Sequence, residues 1–356
     1  MPDGSLDRPA TGSQAALVRD LIGALPDPVL VIDHATRIFV SNEPAREVFT
    51  GIGDGAALAF AVRSPNVLDA VALVLAGGGR QQASWHERAP VERLFEVFVS
   101  PLTLDGKPAA VVELRDMTEA RRVERMRVNF IANVSHELRT PLASLMGFIE
   151  TLQGPAREDA AARDRFLDIM GDQGRRMARL VDDLLSLSRI ELNEHVAPRT
   201  PVDLVSIVHH IVDTLGPVAR DSGVEVNVRA PARAIVSGDA DELTRLVENL
   251  VEHAIKYGGA GDEPRVDVAI VQSDAGTELT VRDNGPGIAP EHLPRLTERF
   301  YRVDTPASRA RGGTGLGLAI VKHILARHRG RLEIESRPGE GATFRAALPP
   351  ASEKSA

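Results

Sequence analysis

The chain has 356 residues, 43% of them hydrophobic and 26% charged, with a formal net charge of −8. That length suits two or three domains rather than one, and the acidic balance argues against nucleic acid as the main partner. The sequence contains no cysteine, which excludes disulfides, thiolate zinc sites, cysteine nucleophiles and cysteinyl-flavin chemistry and fits a reducing cytoplasm.

Residues 1–14, rich in Pro, Gly, Ser and Asp, read as a flexible tail, and their order of charges is not that of a signal peptide. A short helix is expected over 16–25. Two apolar runs follow, Val29–Ile32 and Ile38–Val40, joined by a turn at Asp33-His34-Ala35-Thr36-Arg37. Those interrupting residues also break the most apolar stretch of the chain well short of the roughly 18–20 residues that span a bilayer. No membrane segment is therefore expected, and a cytoplasmic location is, with membrane association arising only through a partner or an upstream segment. Further strands are expected at 81–86, 94–100 and 109–115, with Asp105-Gly106 turning the last pair, and helices near 44–49 and 67–75. The first 115 residues thus predict a small unit with an antiparallel sheet. His34 and His86 read as surface residues, Trp85 and Phe95 as core.

From Met117 the pattern becomes helical. Val123, Met126, Phe130, Val134, Leu138 and Leu142 recur at spacings of three and four, until Gly154-Pro155 breaks the helix. A second stripe carries Phe166, Ile169, Met177, Leu180, Leu184, Leu187 and Ile190. A two-helix hairpin cannot bury such stripes alone, and pairing two copies as a four-helix bundle predicts a homodimer.

On the first helix stands His136-Glu137-Leu138-Arg139-Thr140-Pro141. His136 and Thr140 share a face one turn apart, Glu137 is adjacent, and Pro141 removes the N–H that would reach the Glu137 carbonyl, so a bend is expected there. A neutral imidazole is a nucleophile near neutral pH, and a neighbouring carboxylate can take its proton. A lone helical histidine is ordinarily a solvated surface residue. Four specified residues in His-Glu-x-x-Thr-Pro, however, arise by chance at on the order of 1 in 10⁵ positions. A zinc site is excluded by Thr140 where a second histidine would stand.

This segment resembles the H box of HisKA-type sensor histidine kinases. The resemblance implies that His136 is the phospho-acceptor, that Glu137 is the base for autophosphorylation, and that Thr140 positions water when phosphate is removed from the partner.

After Pro198 a third region predicts strands at 224–228, 265–271, 278–282, 331–336 and 342–348 and helices over 204–222, 240–257 and 315–329, an α/β sandwich. Asp283-Asn284-Gly285-Pro286-Gly287-Ile288 follows a strand, where a carboxylate suits an adenine amino group and the glycines a sharp bend. Gly312-Gly313-Thr314-Gly315-Leu316-Gly317 opens an apolar helix, so that phosphates can approach free backbone N–H groups; it lacks the Lys-Ser/Thr of a Walker A loop. In this order the two elements resemble the G1 and G2 boxes of the ATPase domain shared by histidine kinases, Hsp90, gyrase B and MutL. Glu298-Arg299-Phe300-Tyr301-Arg302-Val303-Asp304 is similar to the F box, and 290–311 to the ATP lid, whose Arg295, Arg299, Arg302, Arg309 and Arg311 could meet phosphate. In the N-box position, Asn249 matches a metal or phosphate contact, Lys256 a phosphate contact and Tyr257 a nucleotide-packing residue.

His253 departs from that pattern, which has Asn there as a Mg²⁺ ligand. Mg²⁺ prefers oxygen donors. Three outcomes stay open: water and phosphate oxygens complete the shell with Asn249, the preference moves toward Mn²⁺, or weakened catalysis leaves phosphatase or scaffold behaviour dominant.

Residues 25–45 resemble the opening of a PAS domain, and Arg115-Asp116-Met117-Thr118-Glu119 its usual exit into a signalling helix. The whole implies a multidomain α+β protein: a tail at 1–14, a PAS-like sensor at 15–115, a dimerisation and phosphotransfer hairpin at 116–197, a catalytic ATP-binding domain at 198–350 and a tail at 351–356. It implies ATP and Mg²⁺ (or Mn²⁺) as cofactors and a response-regulator receiver domain as partner in a phosphorelay, and the H box with the helix segment after it, Ala143–Leu152, resembles phosphate-regulon sensor kinases. The rival readings are a phosphatase-biased regulator and a PAS-containing dimer scaffold that uses no ATP.

Overall fold

A computed structural model of the chain describes residues 11–49, 51–87, 92–258, 263–303 and 313–350. It divides into two compact units between Asn129 and Phe130. The expected positions of Asp304, Arg309, Arg311 and Gly312 lie outside the described residues, as do 1–10 and 351–356 of the two expected tails.

The first unit opens with α1 (Thr11–Gly23), so residues 11–14 are helical where a flexible tail is expected. Then come β1 (Val29–Ile32), β2 (Ile38–Ser41), α2 (Glu43–Val48), α3 (Leu58–Ala61), α4 (Pro65–Leu75), β3 (Gln81–Glu87), β4 (Arg93–Leu104) and β5 (Lys107–Asp116). The sheet is antiparallel in the order β2-β1-β5-β4-β3. Asp105 and Gly106 both take positive φ, 48° and 76°, which matches the right-handed strand twist in a two-residue hairpin. Asn42 fixes the entry to the sheet: its buried Oδ1 accepts from Val29 N (2.9 Å) and Ala45 N (3.0 Å), while Nδ2 donates to Ile22 O and Asp27 O. One side chain thereby joins α1, β1 and the start of α2. Between sheet and helices lies an apolar core in which Trp85 stacks on Phe49 at 5.3 Å and on Phe95 at 5.2 Å. His34 and His86 are exposed, and His86 pairs with Glu92 at 2.8 Å.

Helix α5 (Thr118–Gln153) begins in the first unit and continues in the second, with Pro141 inside it, and α6 (Ala160–Leu192) returns after the Gly154-Pro155 break. The two pack through Phe148 and Phe166, 5.1 Å apart. Much of the α5 stripe is uncovered within one chain: Val123 is 57% exposed, Met126 50% and Leu142 50%.

Next come β6 (Thr200–Asp203), α7 (Leu204–Asp221), β7 (Glu225–Arg229), β8 (Ile235–Gly238), α8 (Ala240–Gly258), β9 (Arg265–Ser273), β10 (Gly276–Asp283), a 3₁₀ turn at Leu293–Arg295, α9 (Gly317–Arg327), β11 (Arg331–Ser336) and β12 (Ala342–Leu348). The five-stranded sheet has the order β11-β12-β10-β9-β7, with β7 and β9 parallel and the other pairs antiparallel. One face carries α7, α8 and α9 over a continuous apolar core. The small ladder of β6 with β8 adds two strands to those expected from sequence. Four-residue strands, one containing Pro201, offer too little alternation to be read from sequence. Helix α9 also starts two residues later than expected, leaving the preceding glycines free to form the site below.

Candidate active site

Helix α8 is the frame of the site. Its first turn is capped by Asp239, whose Oδ1 accepts from Asp241 N (3.1 Å) and Glu242 N (3.2 Å). Asp239 is itself placed by the buried His328. The Nδ1–H of His328 donates to Ile324 O (2.8 Å) and its Nε2 accepts from Asp239 N (3.1 Å), so the ring must be neutral and burial lowers its pKa. Leu243, Leu246, Leu250, Ala254 and Ile255 anchor the inner face. The same 3.6-residue period then puts Asn249, His253, Lys256 and Tyr257 on the wall of a cavity of about 940 Å³. That volume suits a nucleotide-sized ligand.

Asp283 closes one end of the cavity. Its carboxylate is buried, and Oδ1 accepts from Gly285 N (2.9 Å) and Ala342 N (3.3 Å). Burial raises its pKa, and those two N–H groups oppose the rise. Gly285 is needed beneath α8: a Cβ there would stand 2.6 Å from Tyr257 O. Gly287 and Ile288 line the cavity, and Gly287 holds φ +69°. At the other end Gly313, Thr314, Gly315 and Gly317 form the wall. A Cβ at Gly313 would lie 3.3 Å from the Tyr257 hydroxyl and 3.5 Å from Lys256 Nζ, so the turn lies directly against that cation. The Lys256 pKa is lowered, first by burial and then by the nearby Arg179, Arg302 and Arg176. Converging positive charge of this kind stabilises a polyphosphate.

Four expected nucleotide contacts are placed elsewhere. Gly285 lies under Tyr257 rather than on the cavity surface. Leu316 is fully buried and anchors the start of α9. Phe300, at φ +63°, packs on Phe130 at 5.8 Å and donates its N–H to Gly315 O. Arg299 is spent on Glu191 of α6 at 2.6 Å, over the Phe130 ring. Of the expected lid arginines, Arg302 lines the cavity, while Arg295 covers Tyr301 and pairs with Glu298.

The far wall belongs to α6, through Arg176, Arg179 and Asp183, which motif reading did not single out. Their one-face spacing was available in sequence, but only the packing aims them at α8. Asp183 accepts from Arg245 (2.7 Å) and from the Thr314 hydroxyl (2.9 Å). Arg176 lines the cavity and also holds Glu137 at 3.2 Å. His136 is exposed on α5, with no hydrogen bond from its ring to any described residue, and Thr140 donates to its carbonyl oxygen at 3.2 Å. It does not line the cavity. His136 and the cavity are therefore neighbours through the Glu137–Arg176 pair, and direct contact between them needs a shift of the sandwich against the hairpin.

Among the described residues no three His, Asp or Glu side chains converge as a metal site. Asn249 Nδ2 donates to Arg245 O at 2.7 Å, which leaves Oδ1 turned to the start of α9, 2.5 Å from where a Cβ of Gly317 would sit. One amide oxygen beside a phosphate-sized cavity fits a Mg²⁺ ion that arrives with its nucleotide and keeps phosphate and water oxygens around it.

A histidine displayed on a helical hairpin, joined to a sandwich with a cation-lined cavity, defines a phosphotransfer class of protein. Comparisons narrow this further. Residues 126–193 match the His Kinase A (phospho-acceptor) domain, and residues 238–352 the histidine kinase-, DNA gyrase B- and HSP90-like ATPase. The phosphate regulon sensor protein PhoR of Pseudomonas aeruginosa is 40% identical over 250 residues, covering 70% of this chain and 56% of that protein. The sensor-like histidine kinase SenX3 of Mycolicibacterium smegmatis is 40% identical over 250 residues, 70% of this chain and 64% of its own. Sensor protein SrrB of Staphylococcus aureus is 31% identical over 93% of this chain and 56% of its own. The histidine kinase ThkA, solved in complex with the response regulator TrrA, shares the fold at TM-score 0.52 and 19% identity, over 94% of this chain and 99% of that one. The chain belongs to the HisKA-type sensor histidine kinases. It spans between 56% and 64% of the length of the curated relatives it matches.

Proposed function

We propose that the chain transfers the γ-phosphoryl group of ATP to its own His136 and then to an aspartate of a response-regulator receiver domain. The observation that carries this reading is the pairing, in one compact unit, of an exposed imidazole beside Glu137 with a nucleotide-sized cavity lined by Lys256, Arg302, Arg176 and Arg179. Asp283 takes the adenine amino group, and the Gly313–Gly317 turn and Lys256 take the phosphates. An imidazole nitrogen attacks the γ-phosphorus in line, the bond to the ADP oxygen breaks, and Glu137 receives the ring proton. Thr140 orients water when the partner is dephosphorylated. Bound Mg²⁺ (or Mn²⁺) supplies charge neutralisation on the phosphates, with Asn249 Oδ1 as the protein's oxygen donor.

The strand order of the first unit, β2-β1-β5-β4-β3, supports a PAS-like sensor over 15–115, ahead of the phosphotransfer hairpin at 116–197 and the ATP-binding domain at 198–350. Uncovered apolar side chains on α5 and α6 support a homodimer formed through the hairpin. No helix among the described residues is long and apolar enough to cross a membrane, and the chemistry belongs in the cytoplasm, where ATP and receiver domains meet. The likeness to PhoR supports a role in phosphate signalling.

Incubation with γ-labelled ATP tests the reading. Acid-labile, alkali-stable label that disappears in His136→Gln is expected. Label absent, with phosphate lost from a phosphorylated receiver, would make the protein a phosphatase; neither activity would make it a scaffold.

A further inference from the structure

His253 sits in the middle of the cavity face of α8, with its ring between Tyr257 (centroids 4.5 Å apart) and Phe344 of β12 (5.0 Å, edge to face). Its two nitrogens differ. Nδ1 is enclosed and has no hydrogen-bond partner. Nε2 is not enclosed, is bonded to no described residue, and belongs to a side chain lining the cavity. A neutral imidazole carries one hydrogen, and its position follows from that asymmetry. A buried N–H without an acceptor is rarer and more costly than a buried lone pair without a donor. The hydrogen therefore belongs on Nε2, facing the cavity. A second proton is disfavoured, because it would be enclosed at Nδ1 next to the Lys256 cation; burial and that charge hold the pKa down to about 4.

A nitrogen that carries a hydrogen has no lone pair to give a metal. Nor can the ring swap tautomers freely, since the alternative buries an N–H with no acceptor. We propose that His253 binds the nucleotide as a neutral hydrogen-bond donor, Nε2–H to a phosphate oxygen beside Lys256, and is not a metal ligand. This rests on the nucleotide reading above and refines it. The polyphosphate gains a donor that works without a divalent ion, and metal selection stays with Asn249 and the phosphate oxygens.

Calorimetric titration of the full-length chain with ADP and ATP, in EDTA, in Mg²⁺ and in Mn²⁺, tests the assignment. His253→Phe keeps the ring contacts and deletes the N–H; His253→Gln offers an amide N–H at a similar reach. Wild type is expected to bind in all three conditions. His253→Phe should lose about ten- to hundred-fold in each of them, the worth of a hydrogen bond to a charged group. His253→Gln should recover most of that loss, with the Mg²⁺ to Mn²⁺ affinity ratio unchanged throughout. Ring ¹⁵N shifts of the nucleotide-free protein at neutral pH should show the Nε2–H tautomer. Loss confined to the metal-containing arms, a Mn²⁺ preference that vanishes in His253→Phe, or an Nδ1–H tautomer would each overturn the proposal. So would a His253→Phe variant that binds as well as wild type. Wild type that binds no adenine nucleotide under any condition would remove the nucleotide reading itself, a result distinct from all of these.

Discussion

The Thr314 hydroxyl donates to Asp183 Oδ2 at 2.9 Å, and the other carboxylate oxygen of Asp183 holds Arg245 at 2.7 Å. A carboxylate of α6 thus occupies two donors at the edge of a cavity built for an anion. Incoming phosphate must compete with it and feels its charge. Replacing Asp183 by Asn keeps the shape and removes the charge, and is expected to raise ATP affinity about three- to thirty-fold, on the scale of one charge-assisted hydrogen bond. Titration calorimetry would check this; unchanged or weaker binding would show that the contact leaves the phosphate subsite untouched.

Gly317 marks the closest approach of α9 to α8. A Cβ there would stand 2.5 Å from Asn249 Oδ1, so Gly317→Ala must push the carboxamide aside. Overpacking of this kind costs about 1–3 kcal/mol, and metal-dependent ATP binding should weaken along with stability. Adding Asn249→Ala removes the clash. Stability in the double variant should recover by most of that amount while metal-dependent binding does not, which denaturant unfolding and calorimetry can separate.

Arg299 offers a contrast with Arg302. Its guanidinium is engaged by Glu191 at 2.6 Å and covers the Phe130 ring, so Arg299→Ala should cost about 1–2 kcal/mol of stability through lost packing and a half-buried ion pair. Nucleotide affinity should stay within about twofold, whereas Arg302→Ala, at the cavity wall, should lower it by about tenfold or more. A large loss of affinity in Arg299→Ala would restore the direct phosphate contact that the sequence motif suggests.

Acid should weaken the ATPase part of the fold through its buried histidines. His253 is held at about 4 and His328 is also lowered, both first by burial. The unfolded chain binds protons on these rings below about pH 6.5, where the native chain refuses them, so stability is full above that pH and falls as pH drops toward 4. His253 alone accounts for about 1–3 kcal/mol across that window. Thermal unfolding between pH 7.5 and 4.5 should show the decline, reduced in His253→Phe. The same profile in wild type and His253→Phe would mean that the native fold does not disfavour a proton on His253.

Much of this organisation was readable along the chain. Alternation marked β11 and β12, and Asp105-Gly106 marked a hairpin whose two positive φ values the structure reports. The stripe from Val123 to Leu142 marked a helix, and its exposed members show why sequence also suggested a second copy. The ladder of β6 and β8 was not readable, because two four-residue strands one of which holds a proline carry almost no period. The α6 wall of the cavity was not readable either. Arg176, Arg179 and Asp183 resemble any solvated helix face until α8 is laid against them.

Residue type and local spacing alone determined that an imidazole stands beside a carboxylate on a helix and that glycines open another helix near a strand-end aspartate. Those are properties of the backbone period and of side-chain chemistry, and both are local. Only the tertiary structure decided which charges meet: that Arg299 turns to Glu191 while Arg302 reaches the cavity, that Asp183 holds Thr314, and that one nitrogen of His253 is enclosed while the other is open. Electrostatic partnership and burial depend on distances between segments far apart in the chain, and those distances are set by how the hairpin and the sandwich share one apolar core.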